Sequence, residues 1–225
     1  MKSTFNKRAA AIHAFDIFCT PRRGRLSPTQ KEYLKPYKDK ELSLEGNTLQ
    51  TYFWEGTGHT VLLIHGWESN AHRWWKLIPE LQARNYRIVT FDAPAHGASG
   101  GDRFSAILYA KAIYEVAMHY KPDYQVAHSV GALSSLLYFR DKKPKNLKKL
   151  VILGAPSELE EIMQDYQNIL GLRQAIMNEL NLLLQEQYPF SFKTFSGAYV
   201  TQGGKDWNAI SEQEGSGLGG NASVS

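Results

Sequence analysis

The stretch QVAHSVGALSS, residues 125–135, decides the interpretation of this chain. It places Ser129 between a short apolar run and a small-residue segment that predicts the start of a helix. A serine hydroxyl is a poor nucleophile until a neighbouring base removes its proton, and that base needs a carboxylate to orient it. The stretch therefore raises two questions: whether Ser129 is a nucleophile, and which group accepts its proton.

Short apolar strands and helices alternate on both sides of this stretch. Residues 60–66 (TVLLIHG) form a continuous apolar run that ends in glycine, as expected of a strand buried on both faces. Further strands are predicted at 87–92, 124–128 and 149–156, a hairpin over 41–54 around Gly46 and Asn47, and helices at 70–85, 104–120 and 131–140. This alternation predicts an α/β fold with a mostly parallel sheet and helices on both faces.

Four glycine-containing segments lie at the carboxyl ends of the predicted parallel strands. They read HGWESN, DAPAHGASGG, AHSVGA and LVILGAP along the chain. The carboxyl ends of parallel strands share one edge of the sheet, where chemistry collects. In this order and spacing the segments resemble the α/β-hydrolase family, in its small serine esterase or lysophospholipase-like branch. The resemblance covers roughly residues 41–190 and implies the α/β-hydrolase fold, C-terminally incomplete and with a helical cap.

The resemblance implies a nucleophilic role for the serine. In the family the nucleophile lies on a strained strand-to-helix turn of the form G-x-S-x-G. Ser129 takes that position and Gly131 the second glycine, whereas Ala127 replaces the first. The backbone N–H groups of Trp67 and Val130 would then form the oxyanion hole.

A plainer interpretation of the same residues also stands. Ser129 could simply fill a tight turn, and Gly66 could simply end a strand, with no chemistry at either position.

The usual base is missing. In this family the chain order is serine, acid, histidine, yet all seven histidines precede Ser129. His96 is the candidate substitute base, because its loop lies at the same edge of the sheet as Ser129. His65 is a poorer candidate. His128 is expected to point away from its neighbour on the turn.

The resemblance gives several of the same residues a structural role instead. His96 would help to hold its loop together with Asp92. His65 and Gly66, after the first parallel strand, and Gly131, after the serine, would shape the loops around the site.

Glu158 is the candidate acid. A minority of the family carries its acid after the strand that follows the serine turn, and Glu158 lies there. Ser157 and Glu160 nevertheless have the S-x-x-E spacing of a capping box, in which acidic residues stabilise a first helical turn without catalysis. Both interpretations stay open.

The chain divides into four predicted parts. An N-terminal helical extension covers 1–40, the α/β-hydrolase core 41–156, a helical cap 157–190 and a divergent, flexible tail 191–225. The cap has an apolar stripe formed by Leu159, Ile162, Met163, Tyr166, Ile169 and Leu170. By resemblance such a cap shapes an acyl pocket and indicates a small hydrophobic ester or acyl substrate. The alternative is that the stripe only packs against the body.

The tail lacks the sequence that the family would place there. Residues 203–225 are rich in glycine and serine and have little periodic apolar content. Two further strands, bearing the acid and the histidine, are expected to be missing through truncation, a shifted reading frame or divergence. Strand 149–154 would then be an open edge, which favours self-association.

Composition narrows the function classes. The chain has 225 residues and a formal charge of +4, and its basic runs at 21–25 and 140–149 are typical of solvated loops rather than nucleic-acid sites. Cys19 is the only cysteine, which fits a reducing compartment and predicts a cytoplasmic protein. The N-terminal segment is expected to lie on the body, with weak contact to a membrane surface as the alternative.

No sequence motif indicates a cofactor or a metal. The chain contains no G-x-G-x-x-G after a strand, no H-E-x-x-H and no cysteine cluster. The sequence thus predicts a serine hydrolase that acts on carboxylic esters through an acyl-enzyme at Ser129. The alternative is an inactive truncated or frame-shifted fragment, or a non-catalytic binding module that retains the pocket.

Overall fold

A seven-stranded sheet forms the centre of the computed structural model, which describes residues 2–154, 159–187 and 210–212. The strand order is β1-β2-β4-β3-β5-β6-β7. The strands are β1 (Lys38–Leu44), β2 (Asn47–Trp54), β3 (Thr60–Ile64), β4 (Arg87–Phe91), β5 (Tyr124–His128), β6 (Lys149–Leu153) and β7 (Ile210–Glu212). Only β2 runs against its neighbours β1 and β4, and every other pair is parallel. The predicted mostly parallel sheet is confirmed.

Helices cover both faces of this sheet. They are α1 (Lys2–Cys19), α2 (Pro28–Leu34), α3 (Leu77–Gln82), α4 (Ala106–Tyr120), α5 (Val130–Lys142), α6 (Leu159–Leu170) and α7 (Gln174–Gln187). Leu62 and Ile64 of β3 belong to the core shared with α4 and α5, whereas Val61 and Leu63 belong to the core on the opposite face. Successive side chains of a strand point to opposite faces, so a fully buried strand must be apolar throughout.

The hairpin predicted over 41–54 is confirmed, with its turn displaced by one residue. Leu44 pairs with Asn47, so Glu45 and Gly46 form the turn. Both have positive φ, 49° and 81°, as a tight two-residue hairpin turn requires. Asn47 therefore begins β2 rather than closing the turn.

Two predicted helical segments are divided in the structure. Residues 70–85 form a short 3-10 helix at Ala71–Trp74 and then α3, because Pro79 lacks the N–H that would bond back to the previous turn. The predicted cap 157–190 contains α6 and α7, which are separated near Gly171 at φ 61°. A residue in that left-handed conformation commonly follows the last turn of a helix.

The N-terminal helix lies on the body, as expected. Ala11 and Ala14 of α1 are buried against Met163 and Tyr166 of α6, and the Tyr166 hydroxyl donates to the backbone oxygen of Ala14. These two members of the apolar stripe on α6 thus pack against α1. For Met163 and Tyr166 the structure therefore supports the interpretation that the stripe packs against the body.

The prediction that β6 has an open edge is wrong over most of the strand. Val151, Ile152 and Leu153 pair in parallel with Ile210, Ser211 and Glu212. The short strand β7 therefore covers this part of the edge. The glycine-rich segment around it carries no strand signal, because three residues are too few for a period-two pattern to stand out.

Within residues 2–154 and 159–187, every helix is too short or too polar to cross a lipid bilayer.

Candidate active site

Ser129 lies on a strained turn between β5 and α5. Its backbone has φ 54° and ψ −127°, a region that non-glycine residues rarely occupy and that costs roughly 1–3 kcal/mol. Its N–H donates to the oxygen of Leu153 at 2.9 Å, and its own oxygen accepts from Ala132 at 2.9 Å. The turn presents a half-buried serine at the carboxyl edge of the sheet.

Close packing explains the small residues around this turn. A Cβ on Gly131 would lie 2.3 Å from the backbone oxygen of His65 and 2.9 Å from Cγ2 of Ile64. The amino end of α5 thus rests directly on the end of β3. Ala127, which replaces the first glycine of the motif, is fully buried in β5, so a methyl group is accommodated there.

Two backbone N–H groups beside Ser129 have no acceptor in the described part of the chain. They belong to Trp67, after β3, and to Val130, the first residue of α5. The two loops touch closely, since a Cβ on Gly66 would lie 3.0 Å from Cβ of Ser129. Available N–H groups at a helix amino end, next to a nucleophile, suit the stabilisation of an oxyanion.

His65 uses both of its ring nitrogens inside the protein. Nδ1–H donates to the oxygen of Gly66 at 2.7 Å, and Nε2 accepts from the N–H of Ala93 at 2.9 Å. The side chain is fully buried, and this burial lowers its pKa to about 4. His65 therefore joins the loops after β3 and β4 as a neutral structural residue.

His96 is engaged in the same way. Its Nδ1–H donates to the oxygen of Pro94 at 2.9 Å, and its Nε2 accepts from the N–H of Glu68 at 3.1 Å. Burial lowers its pKa to about 4. No ring nitrogen remains to take a proton from Ser129, so this geometry does not support His96 as the substitute base. It agrees with the loop-holding role.

Asp92 is the centre of the loop after β4. Its Oδ2 accepts from the Tyr52 hydroxyl at 2.7 Å and from the Ala98 N–H at 2.8 Å, and its Oδ1 accepts from the Ala71 N–H at 2.8 Å. Complete burial raises the pKa of this carboxyl, against the effect of the three donors. A Cβ on Gly97 would lie 1.9 Å from its carboxyl carbon, which explains that glycine.

Arg73 is a site residue that the sequence did not indicate. Its guanidinium donates to Nε2 of His128 at 2.7 Å. Because a guanidinium only donates, the imidazole accepts at Nε2 and is neutral. His128 thus also has a structural partner, and that nitrogen is not available to Ser129. Arg73 and His128 are 55 positions apart along the chain, so no local sequence pattern predicts their contact.

The candidate acid Glu158 lies outside the described residues. At the carboxyl end of β7, Glu212 is in register with Leu153. In the ranges 2–154, 159–187 and 210–212, no group of three or more histidine, cysteine or acidic side chains is arranged to hold a metal ion.

Stability is expected to fall between pH 6.5 and pH 4. His65 and His96 have pKa values of about 4 in the folded protein, against about 6.5 in an unfolded chain. As the pH falls through this window the unfolded state binds protons first, which lowers the free energy of unfolding by roughly 6 kcal/mol for the two histidines together at pH 4. Asp92, with its raised pKa, acts in the opposite sense, because the folded state binds its proton first.

Urea unfolding at several pH values measures this effect. His96→Asn should give a shallower dependence on pH than the wild type, whatever its absolute stability, because one buried neutral imidazole is removed. The control is His119→Asn, at an exposed position of α4, which should keep the wild-type slope. Equal slopes for His96→Asn and the wild type would contradict the interpretation.

A family model described as alpha/beta hydrolase fold matches residues 59–203. A probable esterase of Oryza sativa subsp. japonica is 29% identical over 173 residues, which cover 71% of this chain and 59% of that protein. The "Pimeloyl-(acyl-carrier protein) methyl ester esterase" of Edwardsiella ictaluri is 37% identical over 57 residues, or 24% of this chain and 22% of that protein.

A solved structure of a putative hydrolase from Agrobacterium vitis S4 resembles this chain with a TM-score of 0.50 and 16% identity, covering 57% of this chain and 56% of that one. At this identity the likeness concerns the fold alone. The chain spans less than two thirds of the length of each of these three proteins.

Proposed function

This chain belongs to the alpha/beta hydrolase fold family, and from that premise we propose that it is a serine hydrolase of carboxylic esters with Ser129 as its nucleophile. The backbone of Ser129, at φ 54° and ψ −127°, is the observation that carries the proposal. A turn that only joined a strand to a helix would take glycine at such a conformation, because glycine avoids the strain. Serine there presents a hydroxyl to the carboxyl edge of the sheet.

The proposed reaction runs through an acyl-enzyme. Ser129 Oγ bonds to the ester carbonyl carbon and gives up its proton to a general base that is not among the hydrogen-bond partners of the serine in the described residues. The N–H groups of Trp67 and Val130 bind the resulting oxyanion. The carbon–oxygen bond to the alcohol then breaks, and the alcohol leaves with a proton. Water attacks the acyl carbon in the second half, releasing the carboxylic acid and restoring the serine.

Hydrophobic esters are the proposed substrate class. The relatives support an ester, since two of them are named as esterases. Aromatic side chains around Trp67 support an apolar acyl group. The ring centroid of Trp67 lies 4.9 Å from that of Phe104 and 6.1 Å from that of Phe18.

A second candidate function is binding without turnover. It is favoured by the engagement of the histidines near the serine: His65, His96 and His128 all use ring nitrogens for other partners. In the described part of the chain no hydrogen bond joins Ser129 Oγ to a base. A protein with these oxyanion donors and no base would bind an ester or acyl ligand and leave it intact.

An active-site-directed fluorophosphonate separates the two functions. Ser129 should displace fluoride and become covalently phosphonylated, and Ser129→Ala should abolish labelling with little change in thermal unfolding, because alanine keeps the same Cβ. Ser43→Ala, which changes a serine of β1 away from the site, should label like the wild type. A folded wild-type protein that is not labelled would overturn the hydrolase proposal and leave the binding function.

A further inference from the structure

The segment between α1 and α2, residues 20–27, crosses the loops that follow β3 and β4. We propose that this strap is a positioning element that holds the oxyanion loop, residues 66–70, in its working geometry. The inference rests on the proposed function for its catalytic consequence. The ordering of the loop by the strap rests on contacts alone and can be tested separately.

The first contact holds Glu68, the residue after Trp67. The N–H of Arg22 in the strap donates to Glu68 Oε1 at 2.9 Å, and the N–H of Glu68 donates to Nε2 of His96 at 3.1 Å. Glu68 has φ 47°, a left-handed conformation that is uncommon for residues other than glycine, asparagine and aspartate. Its side chain and its backbone are thus bound from two directions in a conformation that needs such support.

The second contact is made by the strap backbone at Gly24. Its oxygen accepts from the N–H of Gly97 at 2.8 Å and from Nδ2 of Asn70 at 3.2 Å. Its φ is 98°, and a Cβ there would lie 2.6 Å from Cδ2 of His96 and 3.0 Å from the oxygen of Ser69. The strap therefore touches both loops at a point where only glycine fits.

The third contact adds apolar packing at the other end of the loop. Phe18 lies in the last turn of α1. Its ring is stacked with that of Trp67 at a centroid distance of 6.1 Å and meets that of Tyr166 of α6 edge-on at a centroid distance of 4.7 Å. Trp67 is thereby held between the N-terminal helix and the loops of the sheet. The strap and the end of α1 connect the oxyanion loop to α6.

These contacts matter because an oxyanion donor works only when it is fixed in advance. A group aimed at developing charge gains its effect from not having to reorganise, and small misplacements reduce the rate steeply. Trp67 lies between Gly66, which packs on the serine turn, and Glu68, which the strap holds. Loss of the strap contact should leave the fold in place and loosen the donor.

Glu68→Ala tests the proposal because it removes the acceptor for the strap and leaves the loop backbone intact. Two quantities are measured: hydrogen exchange of the backbone amide at position 68 by NMR, and the rate of phosphonylation of Ser129. We expect exchange to accelerate and phosphonylation to slow, each by about tenfold. Glu68→Gln keeps an acceptor oxygen and should restore both values toward the wild type.

Glu45→Ala is the matched control, because Glu45 also has a left-handed backbone, at φ 49°, and an ion pair, with Lys111. It should change neither quantity. Unchanged exchange of the position 68 amide in Glu68→Ala would overturn the strap proposal, whether or not Ser129 reacts. If exchange at position 68 accelerates in Glu68→Ala but the wild-type protein is never phosphonylated, the result supports the strap and counts only against the hydrolase function.

Discussion

Gly131→Ala is expected to destabilise the protein by about 3 kcal/mol, as overpacking of a close contact does. In an ordinary helix interior the same change stabilises by about 1 kcal/mol. Here the new methyl group would meet the oxygen of His65 at 2.3 Å and Cγ2 of Ile64 at 2.9 Å. That oxygen is held at the end of β3 by the Tyr109 hydroxyl, which donates to it at 3.1 Å. Helix α5 must therefore move away from the sheet.

Urea unfolding measures the loss, and Gly171→Ala is the control for the same chemical change. A Cβ on Gly171 meets nothing within 4 Å, and its φ is 61°, so it should lose only about 1–2 kcal/mol from backbone strain. The close-contact explanation for Gly131 would fail if Gly131→Ala unfolded at the same urea concentration as the wild type or a higher one.

Asp92→Asn is expected to lower the free energy of unfolding by about 3 kcal/mol or more, the usual cost of leaving buried donors without acceptors. The carboxylate accepts from the Tyr52 hydroxyl and from the N–H groups of Ala71 and Ala98. An amide keeps one oxygen and turns an NH2 group toward at least one of these donors. Because Asp92 is fully buried, water cannot replace the lost bonds.

The control is Asp141→Asn, the same substitution at an exposed residue of α5 whose partner is the neighbouring Arg140. It should change the free energy of unfolding by less than about 0.5 kcal/mol. Circular dichroism during urea titration at pH 7 gives both values. Equal stability of Asp92→Asn and the wild type would show that the three donors find other acceptors.

The sheet was predictable because its signals are local. The run 61–64 is apolar at every position, and β3 is buried on both faces. Glycines and small residues after each strand marked the edge where the loops meet. The short strand β7 escaped prediction because three residues carry no period, and only pairing with Val151–Leu153 defines them.

The candidate site was predictable where a motif carries it. The segment AHSVGA predicted a turn at Ser129, and the structure has that turn with the unusual backbone that the motif demands. The roles of the histidines were not predictable in this way. Only the folded loops show that the ring nitrogens of His96 are bound to Pro94 and Glu68.

The sequence by itself determined the class of fold and the order of its parallel strands along the chain, because periodicity and glycine placement act over a few residues. The resemblance of its motifs to a known family located the nucleophile candidate. Tertiary structure alone decided which groups meet across the loops: the strap against Glu68, Arg73 against His128, and β7 beside β6. The first two contacts join residues 46 and 55 positions apart. Their formation depends on how the completed sheet brings its loops together, which no local pattern encodes.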